Sequence, residues 1–422
     1  MKSSRRKVVI TGYGIITSLG DSPSQAFAAM CEGKSGLSSI KLPESEGTSL
    51  TEAIRCRRAG QLNSFNAKQY LGQVNINPLD RIGQMVTSAA QMALDNSGWT
   101  LDMRASEEVG IVLGTMYGCM HTVAEFDRRG LTVGPGYVRP MDFANSVLNA
   151  AAGQAAIWHK LRGINSTIMT GINSGLEAIA YAAEQIIIGR SNAMLAGGAD
   201  ELCFEAFFGF DRANLLCKAE DGGGEFPIPF DARRNGFALA EGAAFIMLED
   251  TETAEARNAR VLAEIKGHGR KFDYSRGRDR RRAIDSIAHS IALALSDAAL
   301  SGSEIDALSA SGNGSIDVDR NEAEAIASVF KEATDGLPIT ATKSALGEAL
   351  GASGSIQVIM LIEAMRQGIL PGIKDLQQYE EGFPLRGATA ENKNVDIRNG
   401  LINSVGFDGN CCSLILSRWG EG

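Results

Sequence analysis

A side chain at the tip of a sharp strand-to-helix turn is held clear of its own strand, and for that reason such a tip usually carries a nucleophile. Residues 167–189, TIMTGINSGLEAIAYAAEQIIIG, read as a turn of this kind with Ile172 at the tip. Ile172 has no lone pair, so a position suited to attack holds a group that cannot attack. The design returns at 347–354, GEALGASG, which leads into SIQVIMLIEAMRQG; the interval from Ser-Gly to closing Gly is the same in Gly175–Gly189 and Gly354–Gly368. The chain therefore carries an internal duplication. A second constellation is Cys119 with His121, a thiol two residues from an imidazole. The two would share a face on a strand and diverge on a helix, and a lone Cys near a His is usually incidental.

The elements that must hold these positions alternate. Strands are expected at 7–12, 107–114, 166–170, 192–197 and 242–250, with helices at 24–33, 82–97, near 145–160 and 173–189 and an irregular stretch near 41–80. The second half repeats the theme: strands at 261–269, 305–311 and 338–342, helices at 281–300, 319–330 and 351–367, and paired strands across 395–418. Alternation of this kind indicates mainly parallel sheets covered by helices. Helices 173–189 and 354–365 are apolar almost all round, which places them inside, between two sheets.

Composition narrows the function classes. At 422 residues and 44% hydrophobic content the chain can bury a large core, and its duplication predicts two halves, 1–255 and 256–422, sharing one body. A net charge of -9 disfavours general nucleic-acid binding. Seven scattered cysteines without a C-x-x-C suit a reducing compartment, the cytoplasm by default, and fail as a disulfide or zinc framework. Met1–Lys7 followed by VVITGYGII reads as a first strand, not a signal peptide, and no run is long enough to span a membrane.

Ordered blocks along nearly the whole chain resemble the beta-ketoacyl synthases: VVITGYGIITSLG, NAAAGQAAIWHKLRGINSTIMTGINSG, LAGGADE, PFDARRNGFALAEGAAFIMLE, ALSASGNGSIDVDRNEAE, TATKSALGEALGASGS and NSVGFDGNCCSLILSR. The resemblance implies a duplicated, thiolase-like fold of five layers, αβαβα. Active members of that family supply one Cys and two His, at positions that are here Ile172, Ser311 and Glu348. The family's Cys thiolate attacks an acyl thioester, and its His pair donates to the anion formed as a malonyl group loses carbon dioxide. Ser311 could offer one weaker bond, whereas ionised Glu348 would set like charge beside that anion. The scaffold positions are kept: Lys343, Glu241, Asp231, Asp319 and Glu322 match charges that the family buries around its site, and Phe407 matches its gating Phe.

Loss of the chemistry on a kept fold resembles one class within the family, the chain-length factor of bacterial type II polyketide systems. That likeness implies a heterodimer with an active ketosynthase, no cofactor bound directly, and a phosphopantetheine arm that acyl carrier protein delivers to the partner subunit. Many members hold Gln where this chain has Ile172, and the family's phosphopantetheine-binding Thr pair is here Asn313 and Ser315. The implied acyl tunnel is bounded by the segment after the strand ending at Gly114, which makes Met116, Tyr117, Met120 and Phe126 the candidates for setting chain length; ordinary core packing is the alternative. The basic run Ser275–Arg282 is expected as solvated surface or partner contact, ahead of carrier docking. Two other functions are weighed: a noncanonical acyltransferase or condensing enzyme using Cys119, and a homodimeric acyl-binding protein.

Overall fold

A computed structural model describes residues 5–41, 54–73, 75–218 and 226–420. Ten strands form the main sheet: β1 Val8–Ile16, β2 Gly110–Gly114, β3 Asn165–Ile168, β4 Ala193–Asp200, β5 Gly242–Asp250, β6 Ala263–Phe272, β7 Ala307–Ser309, β8 Ile339–Thr340, β9 Asn399–Val405 and β10 Asn410–Ser417. Their order is β8-β7-β9-β10-β6-β1-β5-β4-β2-β3. Read outward from the centre, the first five strands run 1-5-4-2-3 and the last five 6-10-9-7-8, the same path twice. The repeated sequence interval thus has its counterpart in repeated topology.

The two sheets expected from sequence are joined along Val8–Ile10 and Ala263–Ile265. Parallel pairing also proves narrower than expected. β2 with β3, β2 with β4, β7 with β8 and β7 with β9 are parallel, and the five pairings nearer the centre are antiparallel. Each half closes with a chain reversal beside its first strand, which a run of crossovers alone does not produce.

The helices that matter for the site are α1 Pro23–Cys31, α2 Arg81–Ser97, α3 Met120–Thr132, α4 Ala150–His159, α5 Ser174–Ile187, α6 Phe204–Arg212, α7 Arg280–Ala298, α8 Ile316–Phe330 and α9 Ser353–Gln367. Three apolar clusters account for the layering. α2 and α4 cover one outer face, α7 and α8 the other, and α5 with α9 fill the middle. Every residue of α9 from Ser353 to Met365 is buried, as the absence of a polar face in its sequence requires. The glycines of the duplicated motif have a packing reason. A Cβ on Gly175 would stand 2.3 Å from the Gly351 carbonyl oxygen, and one on Gly354 would stand 2.6 Å from Leu176 Cβ, so only glycine lets the two helix starts cross this closely.

The expected helix near 145–160 begins at Ala150, after a separate turn Pro140–Ala144, because Pro140 starts that turn and Asn145 ends it. α6 was not expected at all; its FEAFFGFDR run shows no turn signal and only one buried stripe, Ala206, Phe207 and Phe210. Among the described residues no helix is long and apolar enough to cross a membrane.

Candidate functional site

β3 ends at Ile168, and the chain turns at Gly171–Asn173 before α5 begins at Ser174. Gly171 takes φ +65, and a Cβ there would meet Asp408 Oδ2 at 1.9 Å, so the turn is pressed onto the β9–β10 loop. Ser174 Oγ donates to the Gly171 carbonyl (2.6 Å) and accepts from Thr170 N–H (2.9 Å), which fixes the turn from inside. Ile172 is 1% exposed. It lies in an apolar cluster with Phe207, Phe210, Leu216, Phe237 and Leu350, against which Met116, Tyr117 and Phe407 also pack. Phe210 is its hub, with ring centroids 5.9 Å from Tyr117, 5.5 Å from Phe237 and 5.6 Å from Phe407. The position has become the floor of a hydrocarbon core. An aliphatic side chain suits that surrounding.

The other two altered positions are joined to each other. Lys343 Nζ pairs with Glu348 Oε2 at 2.8 Å and donates to Ser311 Oγ at 3.3 Å, with Lys343 2% and Glu348 1% exposed. Glu348 also accepts from Ser353 Oγ (2.5 Å) and Asn313 Nδ2 (3.3 Å). Ser311 Oγ accepts from Val405 N–H at 3.0 Å. The charge of Glu348 is therefore matched internally. What the pair changes is a different thing: Ser311 Oγ and the Lys343 ammonium are engaged with Val405 and Glu348 in place of a reacting group.

The remaining scaffold charges all have partners. Glu322 accepts from Ser311 N–H (2.8 Å), Gly312 N–H (2.9 Å) and Asn403 Nδ2 (2.6 Å), and burial pushes its carboxyl up to about 7. Asp319 receives the N–H groups of Asn313, Gly314 and Phe230 at 3.0–3.1 Å, with burial raising its pKa. Asp231 is also raised by burial, but the Arg233 guanidinium and the Gln377 and Gln378 N–H groups more than offset this and hold it at about 2. Glu241 pairs with Arg81 at 2.6 Å and accepts from Leu62 N–H at 2.7 Å.

The four tunnel candidates separate into two groups. Met116 and Tyr117 sit on the loop after β2, packed on the cluster around Ile172. Their backbone N–H groups are held by Asp200 (2.7 and 2.9 Å), a fully buried carboxylate that also takes Thr115 Oγ and Gly351 N–H at 2.8 and 2.7 Å. Sequence reasoning missed Asp200, although it lies in the quoted LAGGADE block. Met120 and Phe126 belong to α3, a helix that buries none of its residues, and Phe126 touches Phe143 (6.1 Å between centroids).

Cys119 and His121 do not form a dyad. His121 Nδ1 is 3.4 Å from Glu205 Oε2, burial pushes the Cys119 thiol up, and no hydrogen bond between the two is present among the described contacts. Of the basic run, Arg280 pairs with Glu324 and Arg282 with Asp279 at the exposed start of α7. A cavity of about 340 Å³ opens beside Arg276, lined also by Asn235, Asp273, Ser315, Asn321 and Phe407. Phe407 and Leu215 face both that cavity and the apolar cluster, whereas Ile172 does not line the cavity. No group of three metal-ligating side chains able to hold an ion occurs among the described residues.

Beside this region Glu201, 5% exposed, has an Oε1 without a hydrogen-bond partner. Burial first, then the nearby Asp80, pushes its carboxyl up to about 8, against the opposing pull of His121 and Arg81. A carboxyl raised on folding keeps its proton where the unfolded chain has lost it, so stability falls as pH rises from the ordinary Glu value towards 8. Glu201→Gln is expected to remove this contribution. Its stability relative to the parent should rise by ~1–3 kcal/mol between pH 5 and pH 9 in urea titrations; a constant difference across that range would exclude Glu201 as the source.

Comparison with known proteins agrees with the geometry. The descriptions "Beta-ketoacyl synthase, N-terminal domain" and "Beta-ketoacyl synthase, C-terminal domain" match residues 5–254 and 262–377. A 3-oxoacyl-[acyl-carrier-protein] synthase 2 of Coxiella burnetii is 30% identical over 98% of this chain and 99% of its own length; that of Vibrio harveyi is 29% identical over 99% and 100%. The solved ishigamide ketosynthase/chain length factor superposes with TM-score 0.89 at 30% identity, covering 99% of this chain and all of that one. A type II PKS ketosynthase, solved with its acyl-carrier protein and bound to the hexaketide, gives 0.87 at 25% identity over 98% of this chain and all of its own. With two family domains matched over most of its length and its repeated strand path intact, the chain belongs to the beta-ketoacyl synthase family.

Proposed function

We propose that this chain is a non-catalytic chain-length factor that forms a heterodimer with an active ketosynthase. In that complex it shapes the tunnel occupied by a growing polyketide or polyene chain during decarboxylative condensation on acyl carrier protein. The observation that carries this reading is the conversion of the catalytic position into core: Ile172 is sealed by aromatics, and Ser311, Lys343 and Glu348 satisfy one another. A fold with every scaffold charge partnered but no reacting group is suited to a supporting subunit. Its 1–255 half would supply the seam.

Features of that half support this reading. α3 and the Pro140–Ala144 turn bury nothing within this chain, and Leu131, Tyr137, Phe143 and Ile157 are exposed by 68–87%. β3 lies at the end of the strand order with its outer edge unpaired. Exposed apolar side chains together with an open strand edge suit a permanent partner. Covering α3 would also enclose Met120 and Phe126, which this chain alone leaves partly exposed.

The phosphopantetheine arm is then delivered to the partner's site. In this chain the cavity beside Asn235 and Ser315 is lined by Phe407 and does not include Ile172, so an arm entering it would meet an aromatic side chain short of the altered turn. The reducing cytoplasm is the compartment we assign. Co-expression with a ketosynthase encoded beside it should give a one-to-one complex that makes product, whereas this chain alone should neither condense acyl groups nor release malonyl carbon dioxide. Within the complex Tyr117→Ala or Met120→Ala should lengthen the product by at least one two-carbon unit. Unchanged length for both removes the tunnel assignment, and condensation by the isolated chain removes the function.

A further inference from the structure

Two buried thiols from distant parts of the chain meet within the apolar cluster that includes Ile172. Cys56 Sγ and Cys217 Sγ are 4.0 Å apart, 161 residues apart in sequence, and each is 0% exposed. Both belong to the same cluster as Ile172, Phe210 and Phe237. Their backbones are anchored independently: Cys217 N–H donates to the Phe237 carbonyl at 2.9 Å, while Arg55 N–H and Cys56 N–H both donate to Asp211 Oδ1 at 3.0 and 3.2 Å. The juxtaposition is thus imposed by the fold from two sides, not by a chance rotamer of one side chain.

We propose that Cys56 and Cys217 are a redox-modification site, joined into an intramolecular disulfide by a hydroperoxide. The contact must shorten from 4.0 Å to ~2.05 Å, a combined sulfur movement that side-chain rotation and a small backbone adjustment supply. One sulfur, as thiolate, attacks an oxygen of hydrogen peroxide and becomes a sulfenic acid as hydroxide leaves and takes up the thiol proton. The second sulfur then displaces the sulfenic oxygen, which departs as water with the second thiol's proton. Two thiols are oxidised, one peroxide is reduced to two waters, and one S–S bond is formed. Peroxide is small enough to enter through local opening of the apolar cluster, and in a reducing compartment a disulfide of this kind is transient and redox-sensing. Once formed, it would tie the segment leading to Arg58–Ala59 to the segment at Leu216–Cys217, and so fix one side of the apolar cluster.

Cys203, Cys411 and Cys119 are also buried, but none of them has a second sulfur at hydrogen-bonding distance among the described contacts. Cys31 is half-buried and distant in sequence from both, which makes it the internal standard for peroxide exposure.

The test uses the full chain, treated with hydrogen peroxide, blocked with iodoacetamide and digested without reductant. The expected result is one peptide pair linked through Cys56 and Cys217, lighter by two hydrogens than the separate peptides, together with a rise of ~2–5 °C in thermal midpoint that dithiothreitol reverses. Cys217→Ala should abolish both, and Cys31→Ala neither. Absence of the linked pair once Cys31 is oxidised, or sulfinic acid at Cys56 or Cys217 in its place, would overturn the proposal. If Cys217→Ala does not fold, the peptide map of the parent chain alone gives the decision.

Discussion

Lys343→Met is expected to destabilise the fold by about 3–5 kcal/mol, the cost of leaving a buried carboxylate without its counter-charge. Methionine keeps the length and apolar stem of lysine, so the substitution removes charge with little change in packing. The remaining partners of Glu348, Ser353 Oγ and Asn313 Nδ2, are neutral and cannot replace the ammonium at 2.8 Å. Glu348→Gln made in the same chain should return most of the loss, because an amide still accepts from Ser353 and no longer carries charge. A double-mutant cycle in urea should then show a coupling of at least about 2 kcal/mol between the two positions. If Lys343→Met alone costs less than about 1 kcal/mol, the pair is not the buried unit described here. That outcome would also weaken the argument that Lys343 is retained for structural reasons.

The same pair shows what could and could not be read from sequence. The position of Glu348 and the loss of the reacting group were visible in KSALGEALGASGS, because the surrounding glycines mark the motif. Its electrostatic meaning was not visible. Like charge beside a reacting anion was the expectation, whereas the structure turns the carboxylate onto Lys343, five residues earlier and across the turn at Gly347. Which way a side chain points depends on φ +82 at Gly347, and spacing alone does not specify that. The fold was legible because the duplication fixes two equal strand paths, and α5 and α9 were legible as inner helices because neither has a polar face.

Asp200 was missed for a related reason. An acidic residue at a strand end reads as solvent-exposed until the loop that folds over it is placed, and five donors then converge on it from Thr115–Gly118 and Gly351. α6 was missed because its aromatic residues suit a strand as readily as a helix. The division of Met116 and Tyr117 from Met120 and Phe126 was equally hidden. Four side chains within eleven positions looked like one pocket wall, but the helix start at Met120 turns the second pair away from the Ile172 cluster and towards the uncovered face.

That uncovered face yields the second large effect. Leu131→Asp together with Phe143→Asp should weaken association with a ketosynthase by ~10³-fold, about 4 kcal/mol, while leaving the isolated chain's stability within about 0.5 kcal/mol of the parent. The two effects separate because Leu131 is 87% and Phe143 68% exposed in this chain, so neither aspartate is buried until a partner arrives. On association each would be moved from water into an apolar seam with no cation prepared for it, and that desolvation is charged entirely to the complex. Leu101→Asp makes the control: Leu101 is 50% exposed at the start of helix Leu101–Ser106, where an added carboxylate suits the helix dipole. It should leave binding unchanged. Sedimentation of the co-expressed pair would read all three variants, and a one-to-one complex that survives the double substitution would place the seam somewhere other than α3 and β3.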